Sequence, residues 1–397
     1  KTSTFTAVNG QGFFCDTNSG AFTCNLPAGS AGAIVSVQDY RNTFDTGALT
    51  ITPNGSEKIN TGQGNLVLNT EGQGITLVYI DSTVGWRSIQ DNDFANIGSN
   101  FIVASGGTET TSGDCKIHTF TGPGTFSITG ISPCAANNVI SYAVVAGGGG
   151  GGTGDVSGGG GAGGYREVKS PVTPFTASPL DGYPSSPNRI TATITSFPIT
   201  VGAGGANGGL PASPPGCSGS NGNPSVFSTI TAAGGGGGAK GCGPSGVTGS
   251  NGGSGGGGSF STSGGTGNTP PTTPAQGTNG GSGGPSSAPA YGAGGGGGAG
   301  ATGSNGSPSA GGAGGNGVAS EISGSSVTRS GGGGGARNDT SAGGAGGSGG
   351  GGTGGGNTVA AGNGTANTGG GGGGLDNDTP AGGTGGSGIV IIRYKFQ

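Results

Sequence analysis

The chain has 397 residues, 108 of them glycine, with 28% hydrophobic and 8% charged residues and a net charge of −4. An ordinary globular domain is about 45–50% apolar and about 25% charged, so a hydrophobic core can form only where apolar residues concentrate. With 13 basic residues and no basic run, the chain lacks the clustered Lys and Arg of a nucleic-acid surface, and no stretch approaches the ~18 apolar residues of a membrane span. It begins at Lys1 and contains no Met, which predicts a processed start or a preceding segment.

Residues 1–146 hold 19 glycines and residues 147–388 hold 89. This shift marks a domain boundary. Before it, Phe13-Phe14, Phe22, Ile34-Val35, Leu49, Ile51, Leu66, Leu68 and Leu77 to Ile80 alternate with Gly, Asn, Asp and Pro. That spacing predicts an antiparallel all-β module over 1–94, with Trp86 packed inside it and a linker over 95–114. Cys15 and Cys24 stand symmetrically about Ser19-Gly20, which predicts a hairpin with the two facing each other in a disulfide. Cys115 with Cys134 and Cys217 with Cys242 give two further local pairs, and an even count suits an oxidising, extracellular setting. Residues 115–146 form a small β unit. KIHTFTGPGTFSITG predicts a hairpin about Gly122-Pro123-Gly124 with Phe120 matched to Phe126, and NVISYAVVA predicts an apolar strand that feeds straight into six glycines.

Glycine-rich runs then recur at 147–152, 158–164, 202–209, 234–238, 252–258, 280–284, 292–300, 311–317, 331–335, 343–356, 369–374 and 382–388. Their spacing fits neither a fixed-period solenoid nor collagen. A flexible Gly/Ser linker is one reading. The other is a bundle of polyglycine II helices, with three residues per turn and ~3.1 Å rise. Such helices have no internal hydrogen bonds, so neighbouring helices must satisfy every outward amide and carbonyl. Apolar segments pin the ends: Val144-Val145 lead in, ITATITSFPITVGAGG and NPSVFSTITAAGGGGG interrupt, and Ile389 to Ile392 lead out. A disordered tail has no reason to end in IVIIRYKFQ. The expectation is therefore a polyglycine II domain over 147–397, closed by a strand at 389–396, with almost no α-helix.

Catalytic chemistry finds no support. The 17 acidic residues are scattered and His118 is the only histidine, so neither a carboxylate pair nor a triad can be named. No CxxC occurs, and Asp155, Asp339, Asp376 and Asp378 lack the spacing of a nonapeptide calcium repeat. No metal or cofactor is expected, and the chain reads as a non-enzyme.

YAVVAGGGGGG, ITVGAGG, TAAGGGGG and GGSGIVIIRY resemble the glycine-rich domain of bacteriophage tail fibres and related surface proteins, over about residues 115–397. Residues 12–86, with SVQDY at 36–40 and TLVYIDSTVGW at 76–86, look like a module common in marine-phage tail fibres. In tail-fibre tip adhesins of the T-even type, loops on a polyglycine II scaffold touch the host receptor, and the resemblance implies that mechanism here. The chain departs in its paired cysteines and in lacking a fibre shaft. The implied partners are a host surface receptor (glycan or outer-membrane protein) and other fibre or virion proteins, at a virion-surface or extracellular location, with homotrimeric assembly compatible. Candidate contacts are the loop residues Tyr183, Phe260, Tyr291, Arg329, Arg337 and Asp339, each weighed against local packing. The alternatives are a purely structural protein, such as a capsid decoration or an extracellular filament subunit, and an ice-binding protein, which needs flat rows of Thr or Ala.

Overall fold

A computed structural model of the chain describes all residues except 61–63, 90–100, 133–134, 210–216, 242–245, 286–290, 377–381 and 397. It divides into one unit of residues 1–101 with 131–134, and a second of 102–130 with 135–397. The architecture is nearly all β. Among the described residues the only helical turns are short 3-10 segments such as Ala135–Asn138 and Ser186–Asn188.

In the first unit, strands β1 (Phe5–Thr6), β2 (Gln11–Cys15), β3 (Phe22–Asn25), β4 (Ile34–Asp39), β5 (Leu49–Thr52), β6 (Leu66–Leu68), β7 (Gly74–Tyr79) and β8 (Trp86–Ser88) make two four-stranded sheets. One has the order β1-β3-β5-β6 and the other β2-β4-β7-β8. Alternate residues of β4, β5 and β7 are buried, the period-two pattern of sheets with one covered face. Both sheets contribute to one core that includes Cys15, Leu26, Val35, Phe44, Ile51 and Leu77. Trp86 is fully buried, stacks edge-on to Tyr79 at 5.5 Å and donates from Nε1 to Glu57 at 3.0 Å.

The expected hairpin between Cys15 and Cys24 does not form. The chain crosses between sheets after β2, so β2 pairs with β4 and β3 with β5, both in parallel. Cys15 and Cys24 therefore belong to opposite sheets. Both are buried free thiols; Cys115, also buried, and Cys217, exposed, are free as well. Burial pushes the thiol pKa up to about 11 for Cys15 and about 12 for Cys24. Cys134 and Cys242 lie outside the described residues.

The second unit opens inside the span read as a linker, with β9 (Val103–Ser105) and β10 (Thr108–Ser112). The exposed TETTS of β10 is held as a strand by its antiparallel pairing with β11 (Cys115–Phe120). The expected hairpin of β11 with β12 (Gly124–Gly130) is also replaced by a crossing. β11 joins the sheet that contains the C-terminal strand, and β12 pairs with β9 and β16 (Ser196–Thr200) in another. Phe120 and Phe126 are both buried, in separate sheets. β13 (Val139–Val145) is the predicted apolar strand. The C-terminal strand, β21 (Ile389–Lys395), lies between β11 and β13 in the sheet β10-β11-β21-β13-β14, where β14 is Tyr165–Val168. The interrupting segments form β16, β15 (Ile190–Thr191), which pairs with β13, and the hairpin of β17 (Ser225–Phe227) with β18 (Ile230–Ala232); β19 (Val318–Ser320) pairs with β20 (Val327–Arg329).

From Gly147 the chain runs back and forth as short rods that hydrogen-bond to one another. In rod 147–152, Gly147 and Gly150 donate to Asn223 and Ser220, Gly148 and Gly151 to Gly386 and Gly383, and Gly149 and Gly152 to Gly161 and Gly158. Its carbonyls follow the same step: they accept from Gly235 and Gly238, from Gly205 and Gly208, and from Gly372 and Leu375. The rod thus has six neighbours, and each is met by every third residue. This is the bonding period that a three-residue helix imposes. Rods 158–164, 293–299, 330–336 and 369–375 are enclosed in the same way. Glycine is required there by space: a Cβ on Gly149 would lie 2.2 Å from the Gly236 oxygen, and one on Gly333 2.1 Å from the Gly372 oxygen.

Outer rods follow a weaker rule. In rod 202–208, Gly202, Gly205 and Gly208 are buried while Ala203 and Ala206 are exposed, so side chains stand where no neighbour does. Asparagines close the perimeter by standing in for a missing rod. Asn221 accepts from the Gly237 amide at 2.9 Å, Asn305 from Ser282 at 2.9 Å, Asn316 from Ser348 at 3.0 Å and Asn363 from Thr384 at 2.9 Å. The run 343–356 is two rods, broken by a turn at Gly349 and Gly350 with φ of +97° and +96°, angles that glycine adopts without penalty.

Candidate functional site

Because β13 runs directly into rod 147–152, the Ala146 end of the bundle lies at the sheets and the Thr153 end lies away from them. The connections at the far end bring four of the six candidate contacts together. Phe260 and Tyr291 stack edge-on at 5.7 Å and pack with Val156 and Ala293. The Asn338 amide donates to the Tyr291 carbonyl at 3.0 Å, and Gly292 bridges to Arg337. Arg337 Nη2 then pairs with Asp339 Oδ2 at 2.6 Å, both side chains partly exposed at 25% and 30%. The Asp339 carboxylate also accepts from the Ser341 amide at 2.8 Å, and its carbonyl accepts from the Asn357 amide at 2.8 Å.

Two bulky residues at this end hold a left-handed backbone. Val156 has φ +53° and Phe260 has φ +32°, a region that bulky and β-branched residues avoid. Each is held there by packing against the other. Phe260 is only 6% exposed, so it supports the tip from beneath. Tyr291, Arg337 and Asp339 remain accessible.

The other two candidates sit at the sheet end and apart from this cluster. Tyr183 is partly exposed, and its amide donates to Asp181 at 3.0 Å. Arg329 is 5% exposed and cannot meet a receptor. Burial lowers its guanidinium pKa, opposed by the neighbouring Tyr165 and Glu167. Glu167 is buried, and burial raises its carboxyl pKa against the hydrogen bonds from Ser178, Ser320 and Tyr165. This polar group ties β14 to the segment at 318–329 and is structural.

Among the described residues no three His, Cys, Asp or Glu side chains form a metal-binding group. His118 is fully buried, with Nδ1 bonded to the Gly106 carbonyl at 2.7 Å and Nε2 to the Tyr394 hydroxyl at 3.0 Å. Since a carbonyl only accepts, Nδ1 carries the proton and Nε2 accepts from Tyr394.

The far end is thus a small solvent-facing patch of one aromatic and two opposite charges, fixed on rods that cannot shift singly. It can position contacts, and among the described residues it pairs no nucleophile with a base. Sequence reasoning missed the neighbouring exposed Thr340 and Thr358, joined through the Thr358 hydroxyl and the Thr340 carbonyl at 3.3 Å, because nothing local distinguishes them from other polar connections. A comparison with curated proteins finds no match. The family model described as a glycine-rich domain matches residues 119–395, spanning both the sheets and the rods of the second unit, and the chain belongs to that family.

Proposed function

We propose that the chain is a virion-surface fibre or adhesin that recognises a host cell-surface receptor through the far-end connections of its glycine bundle. The observation that carries this reading is the convergence of Tyr291, Arg337 and Asp339 on one accessible patch. A lattice in which every inner rod has six partners gives loops a rigid base, and recognition residues are commonly carried by loops on rigid scaffolds. The resemblance of YAVVAGGGGGG and GGSGIVIIRY to tail-fibre sequences supports the same reading.

The test is binding of labelled full-length protein to a panel of bacterial cells. Arg337→Ser and Asp339→Ser remove a partly exposed ion pair worth about 0–1 kcal/mol, so unfolding temperatures should barely move. Either change, or Tyr291→Ala, is expected to weaken binding to a responsive strain at least about tenfold, a difference of about 1.4 kcal/mol. Binding that survives all three changes would sink the tip assignment. Absence of binding to every strain, together with self-assembly into filaments, would favour a purely structural component.

A further inference from the structure

The outer face of the sheet β2-β4-β7-β8 carries a feature that folding does not require. Gly12 is the second residue of β2, opposite Ser36 of β4. A Cβ there would meet only the Ser36 Cβ, at an ordinary 3.7 Å, and the position has no left-handed φ. A strand glycine costs stability, and without a conformational or packing reason it marks a place where another group approaches the backbone. In front of it is a cavity of about 230 Å³ lined by Gly12, Phe14, Ser36, Gln38 and Thr76 among others, none of them charged.

The walls have distinct chemistry. Phe14 projects from the same face as Gly12 and is 64% exposed. It meets the 61% exposed Tyr40 edge-on at 6.3 Å. The floor is polar: the Ser36 and Thr76 hydroxyls are 2.9 Å apart. Gln38 lies across β7, tied by Nε2 to the Gly72 carbonyl at 2.8 Å. Its Oε1 sits over Gly74, where a Cβ would come within 2.1 Å of it. The second strand glycine therefore makes room for this amide.

We propose that this trough binds a neutral saccharide, one pyranose ring stacking its C–H face on Phe14 while its hydroxyls meet Ser36, Thr76 and Gln38. An aromatic π-face is electron-rich and attracts polarised C–H groups. Hydroxyl and amide side chains both donate and accept, as sugar hydroxyls do. The uncharged lining disfavours phosphate or carboxylate ligands, and the volume suits a single ring rather than an extended chain. The site lies in the first unit and does not depend on the far-end reading of the glycine bundle.

The experiment is saturation-transfer NMR on the full-length protein with a panel of neutral methyl glycosides at millimolar concentration. Transfer to ring C–H protons of at least one glycoside is expected. Phe14→Ala should weaken it about tenfold, and Gly12→Leu, which fills the trough, at least as much. Phe14→Tyr should preserve it, as should Arg337→Ser at the far end. Unfolding temperature controls for misfolding in each variant. The proposal is overturned if no glycoside shows transfer, or if transfer survives both Phe14→Ala and Gly12→Leu. It is equally overturned if light scattering shows that Phe14→Ala dissociates an oligomer, which would make this face a contact between copies.

Discussion

At the scale of single residues, two positions expose the physics of the second unit. Gly296 donates to the Gly333 carbonyl at 2.8 Å and accepts from the Gly315 amide at 2.9 Å. A Cβ on it would sit 2.0 Å from the Gly160 oxygen. Replacing glycine by alanine at an unstrained site stabilises by about 0.4–1 kcal/mol through the unfolded chain. Here the sign reverses. Gly296→Ala should cost about 1–3 kcal/mol, as overpacking does, while Ala206→Ser on an outward position should stay within about ±0.5 kcal/mol. Thermal unfolding of the pair decides, and a neutral Gly296→Ala would mean the rods are not packed. His118 sets a pH dependence. Burial lowers its pKa from 6.5, opposed by the Gly106 hydrogen bond and by Glu109, with Lys116 lowering it further. The unfolded chain then binds the proton more readily, so stability is complete above pH 6.5 and declines as pH falls below it. Glu167 acts oppositely: its raised pKa means protonation favours the fold as pH falls. His118→Gln should therefore flatten the fall of unfolding temperature in mild acid, down to about pH 5, above the usual carboxylate range. An unchanged slope in that variant would remove His118 as its source.

At the scale of elements, inner and outer rods differ in what they demand of the sequence, and that governs what could be read. The enclosed rods coincide with the purest glycine runs, 147–152, 158–164, 331–335 and 369–374, so they were legible. Rods 217–223 (CSGSNGN) and 301–307 (ATGSNGS) were not, because with neighbours on one side only Gly219 and Gly303 need be buried. Asn-Gly steps between the rods carry a different meaning from those between strands. In strands they signal turns, but at 221–222, 305–306, 316–317 and 363–364 the asparagine caps an adjoining rod. Asn316→Asp keeps the acceptor for the Ser348 amide and should be near neutral. Asn316→Leu loses it and should cost about 0.5–1.5 kcal/mol; equal unfolding temperatures for the two would deny the capping role. Strand existence was likewise legible in NVISYAVVA and IVIIRY, whereas strand partners were not. Symmetry about Ser19-Gly20 and about Gly122-Pro123-Gly124 suggested local hairpins, but in both places the chain crosses to another sheet. Pairing of β2 with β4 leaves no local signature, since the pattern of buried residues is the same for either partner. The candidate contacts split for the same reason: polarity alone could not separate Arg337, at the open end, from Arg329, which is buried.

At the scale of the whole molecule, the central problem is entropy. Glycine loses more freedom on folding than any other residue, and the rods bury few side chains to offset it. Compensation must come from a hydrogen-bond lattice that forms together. Opening rod 369–375 breaks bonds to rods 147–152, 158–164 and 330–336 as well as to Ser387, Gly362 and Gly352. No inner rod can therefore open alone. The boundary elements close the lattice: β21, which leads out of the last rod, pairs on both sides, with β11 and with β13. Residue-resolved hydrogen exchange should show two signatures. In inner rods such as 147–152 every amide should exchange only through global unfolding, since successive residues donate to three different neighbours. In the outer rod 202–208 protection should recur every third residue. Gly205 and Gly208 donate to Gly148 and Gly151, while Ala203 and Ala206 face solvent. Uniformly fast exchange in both rods would mean that the region is a flexible linker, and the scaffold argument for the far-end patch would fall with it. Uniform protection along 202–208 would mean instead that another surface covers this side of the bundle. Protection of every residue inside, with a period of three outside, is the result that a lattice of three-residue rods requires.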